Sequence, residues 1–198
     1  MLRLTTKART QEEADSRFDP VEREIHKIAG DIIFGYGEEQ LQDAVFKLLK
    51  ENNIKIATAE SCTGGMLGEF LTSVPGISPY YEMGVITYSN EMKEKLIGVS
   101  GETLRKYGAV SEHTAKEMAQ GVLKVSGADI GVGITGIAGP GGGTVEKPVG
   151  LVYVGVADKS GRVFSKELHL SGNRERIRRI TVKNALNAVR LHIKENWK

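Results

Sequence analysis

The chain has 198 residues, enough for one domain with a substantial core or for a domain with an N-terminal appendage. Hydrophobic content of 40% and aromatic content of 6% predict an aliphatic core, and a net charge of +2, from 27 basic and 25 acidic residues, is too balanced for wholesale nucleic-acid binding. A single cysteine excludes an internal disulfide framework and a cysteine-based zinc site; with no apolar run of membrane-spanning length and no signal-peptide core, the expected location is cytoplasmic, with no membrane partner.

Residues 1–18 are polar, charged and aperiodic, which predicts a weakly ordered tail or one docked on a neighbouring subunit. A helix is expected from Asp19, with Asp19 as N-cap, Pro20 as first helical residue and Glu22 closing a capping box. Val21, Ile25 and Ile28 form its apolar stripe and Gly30 ends it, ahead of a short extended piece at Ile32–Phe34. Glu38–Glu51 predicts an amphipathic helix with Leu41, Val45, Leu48 and Leu49 on one face. Residues 19–53 therefore read as a helical connector packed on the domain formed by 54–198.

That domain opens with a strand at Ile54–Thr58, a tight turn at Ser61 and a helix carrying Met66, Leu67, Phe70 and Leu71. After the break at Val74-Pro75-Gly76, a strand is expected at Met83–Ser89, a short helix from Asn90, and a further helix capped by Ser111. In the next strand Ile130, Val132 and Ile134 alternate with Gly131, Gly133 and Thr135, as where neighbours approach closely. The loop Gly136–Gly143 is too glycine-rich for regular structure. Val149–Ala157 reads as a central strand, Val163–Leu170 as an edge strand and Asn173–Asn196 as a long closing helix. The alternation predicts a three-layer α/β/α fold with a mixed, mainly parallel sheet. Ligands collect beyond the carboxyl ends of such strands, which nominates the loops Glu60–Gly65, Ser89–Lys93 and Thr135–Gly143.

At the first of these, free N–H groups and the positive end of the helix dipole would make an anion-friendly site with the Ser61 hydroxyl at its lip. Gly64, Gly65 and Gly68 lie where each costs about 1 kcal/mol relative to alanine, as when a ligand or another element must reach the backbone. The ordinary alternative is that Ser61 or Thr63 is an N-cap and the glycines allow tight packing. His26, His113, His169 and His192 show no paired spacing for a metal, and a Ser-His-Asp triad lacks an obvious histidine. Serine chemistry without histidine leaves lysine as the base, and Lys93, after Thr87-Tyr88-Ser89-Asn90, is the best placed. To act so it must be neutral about three pH units below its reference value, at a cost of roughly 4 kcal/mol; otherwise it is a surface lysine beside Glu91, Glu94 and Lys95. Arg174, Arg176, Arg178 and Arg179 crowd the start of the last helix, where the dipole disfavours cations. Either that face is solvated or some of these arginines hold a phosphate or carboxylate, with Arg174 and Arg178 on one face as the better pair.

Taken together, Thr58-Ala59-Glu60-Ser61-Cys62-Thr63-Gly64-Gly65, Thr87-Tyr88-Ser89-Asn90 with Lys93, Val110-Ser111-Glu112, Thr135-Gly136-Ile137-Ala138-Gly139-Pro140 and Lys147-Pro148-Val149-Gly150 resemble the CinA C-terminal domain family, over roughly Ile33–Ile193. The resemblance implies an amidohydrolase that deamidates nicotinamide mononucleotide, with Ser61 as nucleophile, Lys93 as base and Tyr88 orienting the lysine or the substrate. It further implies substrate contacts at Cys62, Thr63, Gly64, Gly65, Asn90, Thr135, Gly136, Gly139 and Arg174, with the Thr63–Gly65 amides on the oxyanion and the Thr135–Gly143 amides or Arg174 on the phosphate. No cofactor or metal is implied, the partner is a pyridine mononucleotide, no nucleic acid is expected, and the chain is expected to be a homo-oligomer. Larger members carry an upstream molybdopterin-binding-like domain, and the present form is expected to be without it. Two other readings are a non-catalytic nucleotide-binding or protein-interaction module of the competence/DNA-damage type, and an amidase for another small amide.

Overall fold

The computed structural model describes residues 2–197; Met1 and Lys198, the ends of the expected tail and of the expected domain, lie outside the described residues. The chain divides into two compact units, 2–38 and 39–197, so the expected 19–53 connector is split between them. In the first unit the helix expected from Asp19 begins instead at Gln11, and α1 (Gln11–Ala29) takes in residues assigned to the tail. Thr10 is its cap, accepting from Glu13 N at 3.2 Å, and the Glu13 carboxylate returns to Arg9 N at 2.9 Å. Pro20 sits inside the helix on its exposed side, where water can take the carbonyl its missing N–H leaves free. Gly30, at φ +47°, ends α1, and a 3₁₀ turn over Gly30–Ile32 replaces the extended piece expected at 32–34.

The second unit runs α2 (Leu41–Glu51), β1 (Ile56–Glu60), α3 (Met66–Thr72), β2 (Tyr81–Ile86), α4 (Asn90–Ile97), α5 (Gly101–Tyr107), α6 (Glu112–Ser126), β3 (Ile130–Gly136), β4 (Leu151–Asp158), β5 (Val163–His169) and α7 (Arg174–Asn196). Only α5, whose cap Ser100 follows directly on Gly98-Val99, has no counterpart in the sequence reading. The sheet order is β2-β1-β3-β4-β5. It is mixed but only partly parallel: β1 pairs parallel with β2 and β3, while β3–β4 and β4–β5 are antiparallel. The strand expected at the centre, β4, is interior but one place off centre, because β3 takes the middle; β5 is the expected edge.

Helices cover both faces. Ile56, Ile130, Val132, Ile134 and the β4 valines join one apolar cluster with α2, α3 and α7; Ala57 and Ala59, pointing the other way, join a second with α4, α5 and α6. The second face is floored by glycine. A Cβ on Gly131, Gly133 or Gly155 would lie 2.2–2.5 Å from the carbonyl oxygens of Ala119 or Ala115 in α6, so the helix backbone rests on the sheet backbone. On the other face, α7 is tied to the β4–β5 turn by Asp158, which is buried and accepts from Ser160, Arg162 N and His192 Nε2.

Of the three mutually parallel strands, β1 and β2 end level. Glu60 pairs with Ile86 on one side and Ile134 on the other, so Ser61 and Thr87 leave the sheet side by side at its carboxyl edge, while β3 runs on through Thr135 and Gly136 as the partner of β4. Ser61 N donates to Ile134 O at 3.0 Å and Thr87 N to Glu60 O at 2.9 Å, which carries the register one step past the strands. The prediction from the glycine floor is that Gly155→Ala destabilises the fold by about 1–3 kcal/mol, measured by urea unfolding, whereas Gly98→Ala, with open space around its Cβ, costs less and only through its φ of +67°.

Candidate active site

Lys93 is among the most buried side chains in the second unit, at 1% exposure. Helix α4 places it there: Ser89 caps the helix by accepting from Met92 N, and Lys93 and Ile97, one turn apart, are its two buried residues. The amine lies 2.9 Å from Thr87 O, 3.2 Å from Tyr88 O and 3.4 Å from Ser61 Oγ, with no carboxylate paired to it among the described residues. A protonated amine would donate to all three oxygens. A neutral one donates to the two carbonyls and turns its lone pair to the Ser61 hydroxyl, which is the arrangement of a base. Burial favours that form and holds the Lys93 pKa below its ordinary value of 10.5.

Ser61 is nine-tenths buried and begins the turn between β1 and α3. The anion site expected at that helix start is already filled. The Glu60 carboxylate, 2% exposed, accepts from Gly65 N (3.1 Å), Leu67 N (3.0 Å) and Gly68 N (2.9 Å). The glycines here therefore serve the turn and its packing. Gly64 and Gly65 have φ of +57° and +92°, and a Cβ on Gly68 would meet Tyr81 Oη at 2.8 Å. With Gly64 N bonded to Ser61 O and Gly65 N to Glu60, neither of the two glycine amides is left for a ligand.

Ser61, Cys62, Tyr88, Lys93, Thr135, Gly136, Gly139 and Arg174 come together around one cleft of about 270 Å³. Arg174 crosses its mouth, donating from Nη1 to Gly139 O at 2.9 Å and from Nη2 to Tyr88 Oη at 3.4 Å. The Tyr88 phenol stands at the rim, 62% exposed, and it is this residue's carbonyl that touches Lys93. Cys62 lines the cleft as an inert thiol, pushed up to about 12 chiefly by burial. Four of the expected residues do not line the cleft: Thr63 is fully buried, Gly64 and Gly65 form the turn behind Ser61, and Asn90 lies exposed at the start of α4.

Sequence reading passed over the roles of Glu60, the Thr87 carbonyl and the Ala109–Val110 wall. Lys147 holds that wall by donating to Tyr107 O (2.6 Å) and Val110 O (2.7 Å), and Thr135 Oγ1 adds a bond to Ala109 O at 2.7 Å. The placement of Lys93 was signalled by its spacing from Ile97; the capping by Glu60 had no periodicity to reveal it. Among the described residues no group of three His, Cys, Asp or Glu side chains is placed to hold a metal ion, and no helix is long and apolar enough to cross a membrane.

Comparison with known proteins gives consistent results. Residues 38–193 match the family model described as CinA C-terminal domain. A putative competence-damage inducible protein of Clostridium novyi is 56% identical over 189 residues, 96% of this chain and 45% of the relative. One from Acetivibrio thermocellus is 52% identical over 192 residues, 97% of this chain and 46% of the relative. The chain thus spans under half the length of these relatives. The crystal structure of competence/damage inducible protein CihA from Agrobacterium tumefaciens is 39% identical with a TM-score of 0.76, over 82% of this chain and 98% of that one.

The buried amine yields a test independent of any substrate. The native state holds the Lys93 pKa down, so the unfolded chain binds more protons and the resulting loss of stability is fully present below the native pKa and fades as pH rises to 10.5. Lys93→Met is therefore expected to raise the unfolding temperature at neutral pH, with its advantage over wild type shrinking towards pH 10.5; a constant difference across that range contradicts the assignment.

Proposed function

The chain belongs to the CinA C-terminal domain family, and on that premise we propose that it is an amidohydrolase converting nicotinamide mononucleotide to nicotinate mononucleotide and ammonia. The observation that carries the reading is the buried Lys93 amine, with no carboxylate paired to it among the described residues, directed at the Ser61 hydroxyl across 3.4 Å. Burial supports a neutral amine, and a neutral amine is what a serine nucleophile without histidine needs.

In this reading Lys93 takes the Ser61 proton while Ser61 Oγ attacks the carboxamide carbon. The resulting oxyanion is held by the amide of Cys62, which lines the cleft, a donor of this kind being worth about 3 kcal/mol. This departs from the expected Thr63–Gly65 set, because Thr63 lies away from the cleft and Gly64 N and Gly65 N are already bonded. The Lys93 ammonium then gives its proton to the departing amide nitrogen, and ammonia leaves with the acyl group retained on Ser61. Water, deprotonated by the same amine, attacks the ester and restores the serine. The pyridinium's fixed positive charge makes the carbonyl more electrophilic and disfavours protonation of Lys93. Arg174 and the 135–143 amides suit the phosphate: the cleft lining includes the Arg174 guanidinium and no carboxylate. An enzyme acting on another small amide would use the same residues, and a panel of pyridine nucleotides and simple amides separates the two.

The roles assigned to Ser61 and Lys93 are each open to mutation. Ser61→Ala lowers ammonia release from nicotinamide mononucleotide by on the order of 10³-fold or more, while Cys62→Ala retains most of it, because a thiol at about 12 is protonated in the working range. Binding without turnover in the wild type, measured calorimetrically, would favour the non-catalytic nucleotide module. In the pH–rate profile the wild-type rate rises as Lys93 loses its proton, with the limb below 10.5; Lys93→Ala removes the limb and most of the rate together.

A further inference from the structure

The two arginines that share a face at the start of α7 have different tasks. Arg174 reaches the cleft. Arg178, one turn on, does not line it: its Nη2 donates to Thr63 O at 2.6 Å, and lies 3.5 Å from where a Cβ on Gly64 would stand. The Thr63 carbonyl also accepts from Met66 N at 3.2 Å, closing the first turn into α3. The turn that starts at the serine is thus gripped by two charged side chains from opposite sides. The Glu60 carboxylate takes its N–H groups and the Arg178 guanidinium takes a carbonyl.

The polarity of the bonds makes this more than a tether. Thr63 C=O and Gly64 N–H belong to one peptide unit, so a cation on the oxygen strengthens the N–H as a donor. That N–H donates to Ser61 O at 3.1 Å. The chain of bonds runs from the guanidinium through the Thr63–Gly64 peptide to the main chain of Ser61 itself. Closure of the turn needs no arginine, since Gly64 and Gly65 already supply the positive φ. The energy of the Arg178 bond is left to fix where the turn sits relative to Lys93, and an error of about 1 Å in a nucleophile can cost 10²-fold in rate.

We propose that Arg178 is a positioning residue for Ser61, acting through the Thr63 carbonyl and opposed by Glu60; the proposal rests on the Ser61–Lys93 reading above. A second side chain on the same helix face therefore serves the reaction without touching substrate.

The test compares Arg178→Met and Arg178→Lys with wild type. Arg178→Met is expected to lower kcat for nicotinamide mononucleotide about tenfold or more with KM nearly unchanged, and millimolar guanidinium ion is expected to restore part of the lost kcat where equal sodium does not. Arg178→Lys, which keeps the charge and one donor, falls between, and serves in place of the Met variant if that one unfolds. A raised KM with kcat intact would mean that Arg178 holds substrate, and an unchanged kcat would mean that it holds nothing that matters; either overturns the proposal. Labelling of Ser61 by a small fluorophosphonate separates this claim from the choice of substrate. If wild type releases no ammonia from any pyridine nucleotide, the functional reading fails, yet slower labelling in Arg178→Met still supports the clamp and equal labelling sinks it.

Discussion

A lysine amine kept from water among uncharged oxygens is the constraint on which the site depends. Two main-chain carbonyls occupy two donors of Lys93 Nζ, and the third direction points to Ser61 Oγ. Main-chain oxygens are well suited to the task. A carboxylate in their place would stabilise the ammonium and end the basicity, whereas carbonyl dipoles orient the amine in either protonation state. The carbonyls are available because β2 has just ended at Ile86 and Thr87 and Tyr88 belong to the link into α4, outside the ladder that would otherwise claim them.

The same economy of charge governs the turn at the serine. A helix start invites an anion, and an open one here would draw phosphates or carboxylates from solution. Glu60 fills it from within, leaving the anion-binding capacity of the site to the opposite wall, where Arg174 spans from α7 to Gly139 and Tyr88. The two sides of the cleft are thereby built by different elements: β1, β2 and α4 place Ser61 and Lys93, and the loop after β3 with α7 places Arg174.

Much of this was legible in the residues. Alternation and helical spacing located every strand and most helices of the larger unit within a few positions, because their apolar faces are the ones the sheet buries. The three loops beyond the carboxyl ends were nominated by the strand assignments, and residues from all three line the cleft. What failed did so for physical reasons. Asp19-Pro20 imitates a helix start, but Thr10 with Glu13 caps an earlier one, and an exposed proline does not break a helix whose free carbonyl faces water. The apolar run of β4 reads as central since both its faces are covered, yet the late hairpin gives the middle place to β3, whose glycines hide its burial. Gly64 and Gly65 read as a ligand cradle because glycine marks positive φ and close approach alike; only the Glu60 bonds tell these apart.

The level ending of β1 and β2 has a consequence for how such a chain can vary. Serine and lysine meet because Ser61 and Thr87 step off the sheet at one height. Each residue added to or removed from a strand displaces the loop beyond it by about 3.3 Å and reverses its side. Insertions between the cleft loops and the next element can be absorbed at the surface, but a single-residue indel within either of these two strands would break the alignment. The strands are in effect a gauge, and the tolerance of the chemistry is finer than its smallest division.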